Sequence, residues 1–128
     1  MRRVFMNRVL VVDDSDFMIA LISDILVSEG FEVVAKANNG KEAIYKYKKT
    51  NPDLVVTDIT MPKLNGLKMI EKIIKFDPGA SIVVISAMNQ RPTVLKSIEL
   101  GAIDFIAKPF EESKVKEVVK KATEKAKS

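Results

Sequence analysis

The stretch Val9-Leu10-Val11-Val12-Asp13-Asp14-Ser15 decides the fold. Four consecutive apolar residues, three of them valines, with no polar alternation, suit a strand buried on both faces of a parallel sheet. Two carboxylates end the run. Met18, Leu21, Ile22, Ile25 and Leu26 then recur at three- and four-residue spacing, which predicts a helix stopped by Gly30. The same succession repeats along the chain. Further apolar runs lie at Val33–Ala35, Leu54–Val56, Ile82–Ile85 and Ile103–Ala107, the last broken by Asp104. Each is followed by a helical stripe. These are Ala43, Ile44 and Tyr47; Leu67, Ile70, Ile73 and Ile74; Val94, Leu95, Ile98 and Leu100; and Val115, Val118, Val119 and Ala122. Five strand–helix units in strict alternation predict an α/β fold with an open parallel sheet and helices on both faces. A (β/α)8 barrel would need eight.

The chain has 128 residues, enough for a single domain over 1–128, with residues 1–7 as a short N-terminal extension. Hydrophobic residues make up 47% and charged residues 30%, a composition that excludes intrinsic disorder. There is no Cys and no His, which removes thiolate nucleophiles, imidazole general bases and zinc sites built on either. Chemistry is left to carboxylates, hydroxyls, Lys and hard cations held by oxygen. The longest apolar run, Phe17–Ile22, is far short of the ~20 residues a membrane span needs. Asn7 and Arg8 interrupt the stretch behind Arg2 and Arg3, so neither export nor membrane insertion is expected and the reading is cytoplasmic. The net charge of +4 gathers at the ends: Arg2, Arg3 and Arg8 at one, seven Lys against four Glu over 108–128 at the other. Without Trp and with few aromatics, the Lys-rich tail reads as a solvated helix face and not as a nucleic-acid surface.

In open α/β sheets, ligands bind beyond the carboxyl ends of the strands. The residues there are Asp13 and Asp14 after the first run, Asp58 after Leu54–Val56 and Thr57, Ser86 after Ile82–Ile85, and Lys108 after the last. Singly, each has a plain structural use, such as a helix cap or a turn. Together they place three carboxylates, a hydroxyl and an ammonium at one edge. Two like charges 4 Å apart repel by about 4 kcal/mol at an effective dielectric near 20, so stability alone does not favour the cluster. The repulsion is expected to raise at least one carboxylate pKa. A hard cation relieves it, and Mg²⁺ takes one or two carboxylates plus waters and a phosphate oxygen. That donor set points to phosphoryl transfer, with Asp58, alone on its strand, as the nucleophile.

Four segments carry a family resemblance: Val9–Ser15; Asp58-Ile59-Thr60-Met61-Pro62-Lys63-Leu64-Asn65-Gly66; Ser86-Ala87-Met88; and Gly101–Phe110, which contains Ala107-Lys108-Pro109. The chain resembles the receiver domain of two-component response regulators over nearly its whole length. The resemblance implies a doubly wound, flavodoxin-like fold with strand order 2-1-3-4-5. It implies that Asp13, Asp14, Asp58 and the backbone carbonyl of Thr60 hold Mg²⁺, and that Asp58 accepts a phosphoryl group from a histidine kinase. Ser86 and Lys108 assist, Ser86 and Phe105 act as the switch, and the Lys108–Pro109 bond is cis. Phe105 stands where the family often has Tyr, so a phenolic switch is excluded. The resemblance further implies a monomeric phosphoacceptor protein, not an enzyme in the ordinary sense, with self-phosphorylation from small donors and autodephosphorylation expected. Its output is a protein-binding face on the fourth helix, fifth strand and fifth helix, with Lys96, Glu99, Phe105 and Lys116 as candidate contacts. Similarity to stand-alone chemotaxis receivers makes a flagellar motor component the expected target. The alternative is a relay that passes the phosphoryl group to a His phosphotransfer protein.

Other classes fit less well. A haloacid-dehalogenase phosphatase needs a second Asp two residues after the nucleophile, where this chain has Thr60. A flavodoxin-like FMN carrier needs a hydroxyl- and glycine-rich first loop, where Asp13 and Asp14 would repel phosphate.

Overall fold

The computed structural model describes residues 7–61 and 63–127. Five strands alternate with five helices: β1 (Arg8–Val12), α1 (Asp16–Ser28), β2 (Glu32–Ala37), α2 (Gly40–Thr50), β3 (Leu54–Thr57), α3 (Gly66–Phe76), β4 (Ile82–Ser86), α4 (Arg91–Leu100), β5 (Asp104–Ala107) and α5 (Glu112–Lys127). All strands are parallel, in the order β2-β1-β3-β4-β5. The extension expected over 1–7 lies outside the described residues except for Asn7. Asn7 accepts from Glu32 N at 2.7 Å and donates from its amide to Gly30 O at 2.9 Å.

Polar residues just ahead of three helices start them. Ser15, Asn39 and Asn65 each accept from a backbone N–H three residues on, at 3.2, 2.9 and 3.0 Å. Left-handed residues stop others: Gly30 at φ +89° follows α1 and Asn51 at φ +47° follows α2.

The central strands carry alternate side chains to two cores. Val9, Val11, Val56, Val83 and Ile85 pack beneath α1 and α5, whereas Leu10, Val12, Val55, Ile82 and Val84 pack beneath α2 and α3. This double burial is the physical origin of the unbroken apolar runs.

Two helix faces differ from the pattern reading. In α1 the buried side is Ile19, Ile22, Ser23, Ile25 and Leu26, and Leu21 is 39% exposed. The continuous run from Phe17 to Ile22 gives no phase, and Ser23 lies inward although its buried hydroxyl has no hydrogen-bond partner among the described residues. In α4 the residue turned fully inward is Ser97, while Leu95 and Ile98 are 56% and 43% exposed. No helix among the described residues is long and apolar enough to cross a membrane.

Gly66 positions the loop that leaves β3. Its N–H donates to Ile59 O at 2.8 Å, and a Cβ there would meet Asp58 O at 2.5 Å and press on the Ile59 Cα. Both neighbours are backbone, so relief requires moving the loop. Gly66→Ala is expected to cost about 3 kcal/mol, at the upper end of ordinary overpacking. Urea unfolding checks this, and an unchanged midpoint contradicts the placement.

Candidate functional site

The parallel order brings the carboxyl ends of β1, β3, β4 and β5 side by side, and backbone ladders continue past them. Asp58 N donates to Val12 O at 3.0 Å, Asp13 N to Ala37 O at 3.1 Å and Lys108 N to Ser86 O at 2.9 Å. Asp13, Asp58, Ser86 and Lys108 are therefore held by the sheet itself, although they lie far apart in sequence.

The Lys108 ammonium donates to Asp13 Oδ2 and to Asp58 Oδ2, both at 2.8 Å. Asp13 and Asp58 are 1% and 7% exposed, and Asp14 is exposed. The other Asp58 oxygen, Oδ1, accepts from the backbone N–H of Ile59 at 2.6 Å and of Thr60 at 3.1 Å. Asp13 Oδ1 accepts from Ser15 N at 3.0 Å. One oxygen each from Asp13, Asp14 and Asp58 lies within 4.8 Å of the others. Three carboxylate oxygens at this spacing are hard donors of the kind Mg²⁺ takes, with the exposed Asp14 leaving the solvent side open.

Ser86 ends β4 fully buried, and its hydroxyl accepts from Met88 N at 3.1 Å. Phe105, on β5 opposite Val84, is partly buried against the core beneath α2 and α3. The Lys108–Pro109 peptide bond is cis. Lys96 and Glu99 pair loosely at 3.8 Å on α4, and Lys116 is shared between Glu112 at 3.0 Å and Glu29 at 3.7 Å.

Sequence reasoning missed the backbone donors of Ile59, Thr60 and Met88, because a peptide N–H carries no side-chain signature. It also missed Thr57, whose buried hydroxyl donates to Asp58 O at 2.6 Å.

The two buried carboxyls titrate in opposite directions. Burial pushes Asp13 above the ordinary carboxylate value, and it outweighs the Lys108 and Ser15 hydrogen bonds that oppose it. Repulsion from Asp58 adds to the rise but is its smaller cause, so desolvation does most of what like-charge repulsion was expected to do. Burial also pushes Asp58 up, but Lys108, Ser86 and the Thr60 N–H together bring it below the ordinary value. Burial lowers Lys108, and its hydrogen bonds to Asp13 and Asp58 more than reverse that, so its ammonium is held firmly charged.

Each of these shifts makes stability depend on pH. A raised folded pKa at Asp13 means that its ionisation costs stability. That cost is absent below the unfolded value and appears as pH rises through the folded one. Asp58 is the reverse: its contribution is present above the unfolded value and is lost as pH falls through its lowered value. Asp13→Asn is therefore expected to raise the melting temperature of the metal-free chain at neutral pH, with the advantage vanishing in acid below the ordinary aspartate value of 3.8. Thermal unfolding in EDTA across pH tests this; a lower neutral melting temperature for the variant contradicts it.

The sequence matches the response regulator receiver domain over residues 9–120. It is 49% identical over 117 residues to the chemotaxis protein CheY of Thermotoga maritima, covering 91% of this chain and 98% of that protein. It is likewise 49% identical to CheY of Bacillus subtilis, covering 90% of this chain and 96% of the relative. A chain of the CheX–CheY–BeF3–Mg complex from Borrelia burgdorferi superposes with a TM-score of 0.87 at 39% identity, over 90% of this chain and 87% of that one. An unbroken family match, laid on a five-stranded sheet whose edge gathers acids, a hydroxyl and an ammonium, places this chain in the response regulator receiver family of two-component signalling, with chemotaxis CheY proteins among its relatives.

Proposed function

We propose that Asp58 is the phosphoacceptor of a chemotaxis response regulator, charged by a histidine kinase. The observation that carries this reading is the sharing of one ammonium, Lys108, between Asp58 and Asp13 at 2.8 Å each. It marks Asp58 as buried, ionised and next to a fixed positive charge, which is what a carboxylate nucleophile for phosphorus requires.

In the transfer, an Asp58 oxygen attacks the phosphorus of a phosphohistidine and a P–O bond forms. The P–N bond breaks, its electron pair stays on the imidazole nitrogen, and the product is an acyl phosphate. Lys108 stays protonated and faces the phosphoryl oxygens, while the Ile59 and Thr60 amides keep the carboxyl oriented. Asp13, Asp14, Asp58 and the Thr60 carbonyl would hold Mg²⁺, which when bound neutralises charge on the phosphoryl oxygens. Small acyl phosphates are donors by the analogous attack, in which their P–O bond breaks and a carboxylate leaves. Attack of water on the phosphorus of the Asp58 acyl phosphate returns the carboxylate and releases inorganic phosphate.

The phosphoryl group carries about −1.5 to −2 charges in place of the single charge of the Asp58 carboxylate and sets them on new oxygens, so Lys108 can no longer serve Asp13 and Asp58 as it does now. Ser86, at the end of the adjacent strand, is the next donor within the pocket, and Phe105 on β5 repacks behind it. The exposed Met88, Leu95, Ile98 and Ile103, beside Lys96 and Glu99, give the α4–β5 side an apolar patch that suits a protein target.

Retention from source-cell lysate on the immobilised chain, with Mg²⁺ and with or without beryllofluoride, tests the reading. A flagellar motor component retained only with beryllofluoride is expected. Retention of a second His phosphotransfer protein in its place contradicts the chemotaxis role.

A further inference from the structure

The charge of the middle of the chain sums to a small negative number along the sequence, but in space it is sharply divided. α2, α3 and Lys63 between them carry eight Lys and two Glu, a local charge of +6 on a chain whose total is +4. Glu42 pairs with Lys46 at 3.2 Å and Glu71 with Lys68 at 3.3 Å. Lys41, Lys48, Lys49, Lys72 and Lys75 are exposed and make no ion pair with a carboxylate among the described residues, and the exposed Lys63 feels Glu42 only at longer range.

The helical period gathers these residues. Lys41, Tyr45 and Lys48 fall on one stripe of α2, and Lys68, Lys72 and Phe76 on one stripe of α3. Two large rings stand in this face, Tyr45 at 60% and Phe76 at 58% exposure. The stripes meet where the Lys48 ammonium lies 4.9 Å from the Phe76 ring centroid. The face runs into an open groove lined by Asn38, Asn39, Lys41, Glu42, Tyr45 and Lys63. That groove borders the loop leaving Asp58, because Gly40 N at the start of α2 donates to Leu64 O at 3.1 Å.

We propose that the α2–α3 face is a docking surface for an acidic, partly apolar segment of a partner protein, separate from the phosphorylation site and from the α4–β5 side. Unpaired ammoniums around exposed aromatic rings are the complement of carboxylates interleaved with apolar side chains. Three features favour a peptide over a lipid surface or a nucleic acid. Lys48 and Lys49 sit over the Phe76 and Tyr45 rings, at 4.9 and 5.9 Å, so neither ring is bare for base stacking or bilayer insertion. Glu42 and Glu71 stand within the face and repel a uniformly anionic plane, but a segment with discrete charges avoids them. The exposed side-chain amide of Asn38 at the groove offers a hydrogen-bond donor to a peptide backbone.

The test uses the full, unphosphorylated ¹⁵N-labelled chain without Mg²⁺, so its outcome is independent of the Asp58 reading. The probe is a synthetic peptide alternating Glu with Leu and Phe. The comparison ligands are phosphatidylglycerol–phosphatidylcholine vesicles and oligothymidine. Saturable, salt-sensitive shifts confined to residues 38–50 and 63–76 are expected. Lys48→Glu with Lys72→Glu takes the face from +6 to +2 and is expected to weaken the peptide at least about tenfold, since both residues are exposed and the fold is checked by circular dichroism. Lys120→Glu with Lys121→Glu on α5 is expected to leave affinity within about twofold. Equal loss in the α5 variant, shifts centred elsewhere, or tighter binding of vesicles or oligothymidine than of peptide each overturn the proposal.

Discussion

Asp58→Asn is expected to take up no phosphoryl group from acetyl phosphate and Mg²⁺, with labelling reduced to background by intact-mass measurement. Loss of a nucleophile costs about 10⁴- to 10⁶-fold where one residue carries the bond-forming step, which is below detection here. The substitution is nearly isosteric. Asn keeps an oxygen for the Ile59 and Thr60 amides, which now bond Asp58 Oδ1 at 2.6 and 3.1 Å. What it removes is the anionic oxygen that faces Lys108. Because Asp58 has a lowered pKa in the fold, the variant is expected to be somewhat less stable near neutrality, the opposite sign to Asp13→Asn. Labelling that persists in a folded Asp58→Asn chain would assign the nucleophile to another residue.

Lys108→Met is expected to destabilise the metal-free chain by about 3–5 kcal/mol at neutral pH, the usual cost of leaving a buried charge without its partner. The premise is the burial of all three groups, with side chains 16%, 1% and 9% exposed for Lys108, Asp13 and Asp58. Met preserves the aliphatic stem, so the loss reports charge and not packing. Without the ammonium, both carboxyl pKa values rise, so the deficit is present above the ordinary carboxylate range and shrinks as acid protonates Asp13 and Asp58. The same substitution removes a positive charge from beside the acidic cluster. Mg²⁺ affinity is therefore expected to hold or rise, while the response to beryllofluoride at Ser86 and Phe105 falls. Urea unfolding in EDTA and with Mg²⁺ reads both effects. A loss under about 1 kcal/mol, or weakened Mg²⁺ binding, contradicts the assigned role.

The site was legible in sequence because the parallel sheet converts a local rule into a long-range one. Whatever follows each buried run must arrive at the same edge, so Asp13, Asp58, Ser86 and Lys108 could be grouped before any distance was known. The phase of α1 and α4 was not legible. An uninterrupted run such as Phe17–Ile22 has no amphipathic direction, and Leu95 and Ile98 obey the helical period while facing solvent. The orientation of Asp58 was equally hidden, since peptide N–H groups hold it. Charge misled most. A sum along the chain put the basic excess at the termini, because acids from the carboxyl-edge cluster and α1 cancelled the lysines of α2 and α3. Packing separates them, and the sheet stands between α1 and the basic face.

The most direct measurement locates the acyl phosphate itself. The chain is treated with acetyl phosphate, reduced with borohydride and digested, and the peptides are read by mass spectrometry. Reduction of an aspartyl phosphate leaves homoserine, so the modified residue identifies itself. Homoserine at position 58, formed with Mg²⁺ and lost in EDTA, is the expected result. Homoserine at Asp13 or Asp14, or equal yield at position 58 without metal, would contradict the account.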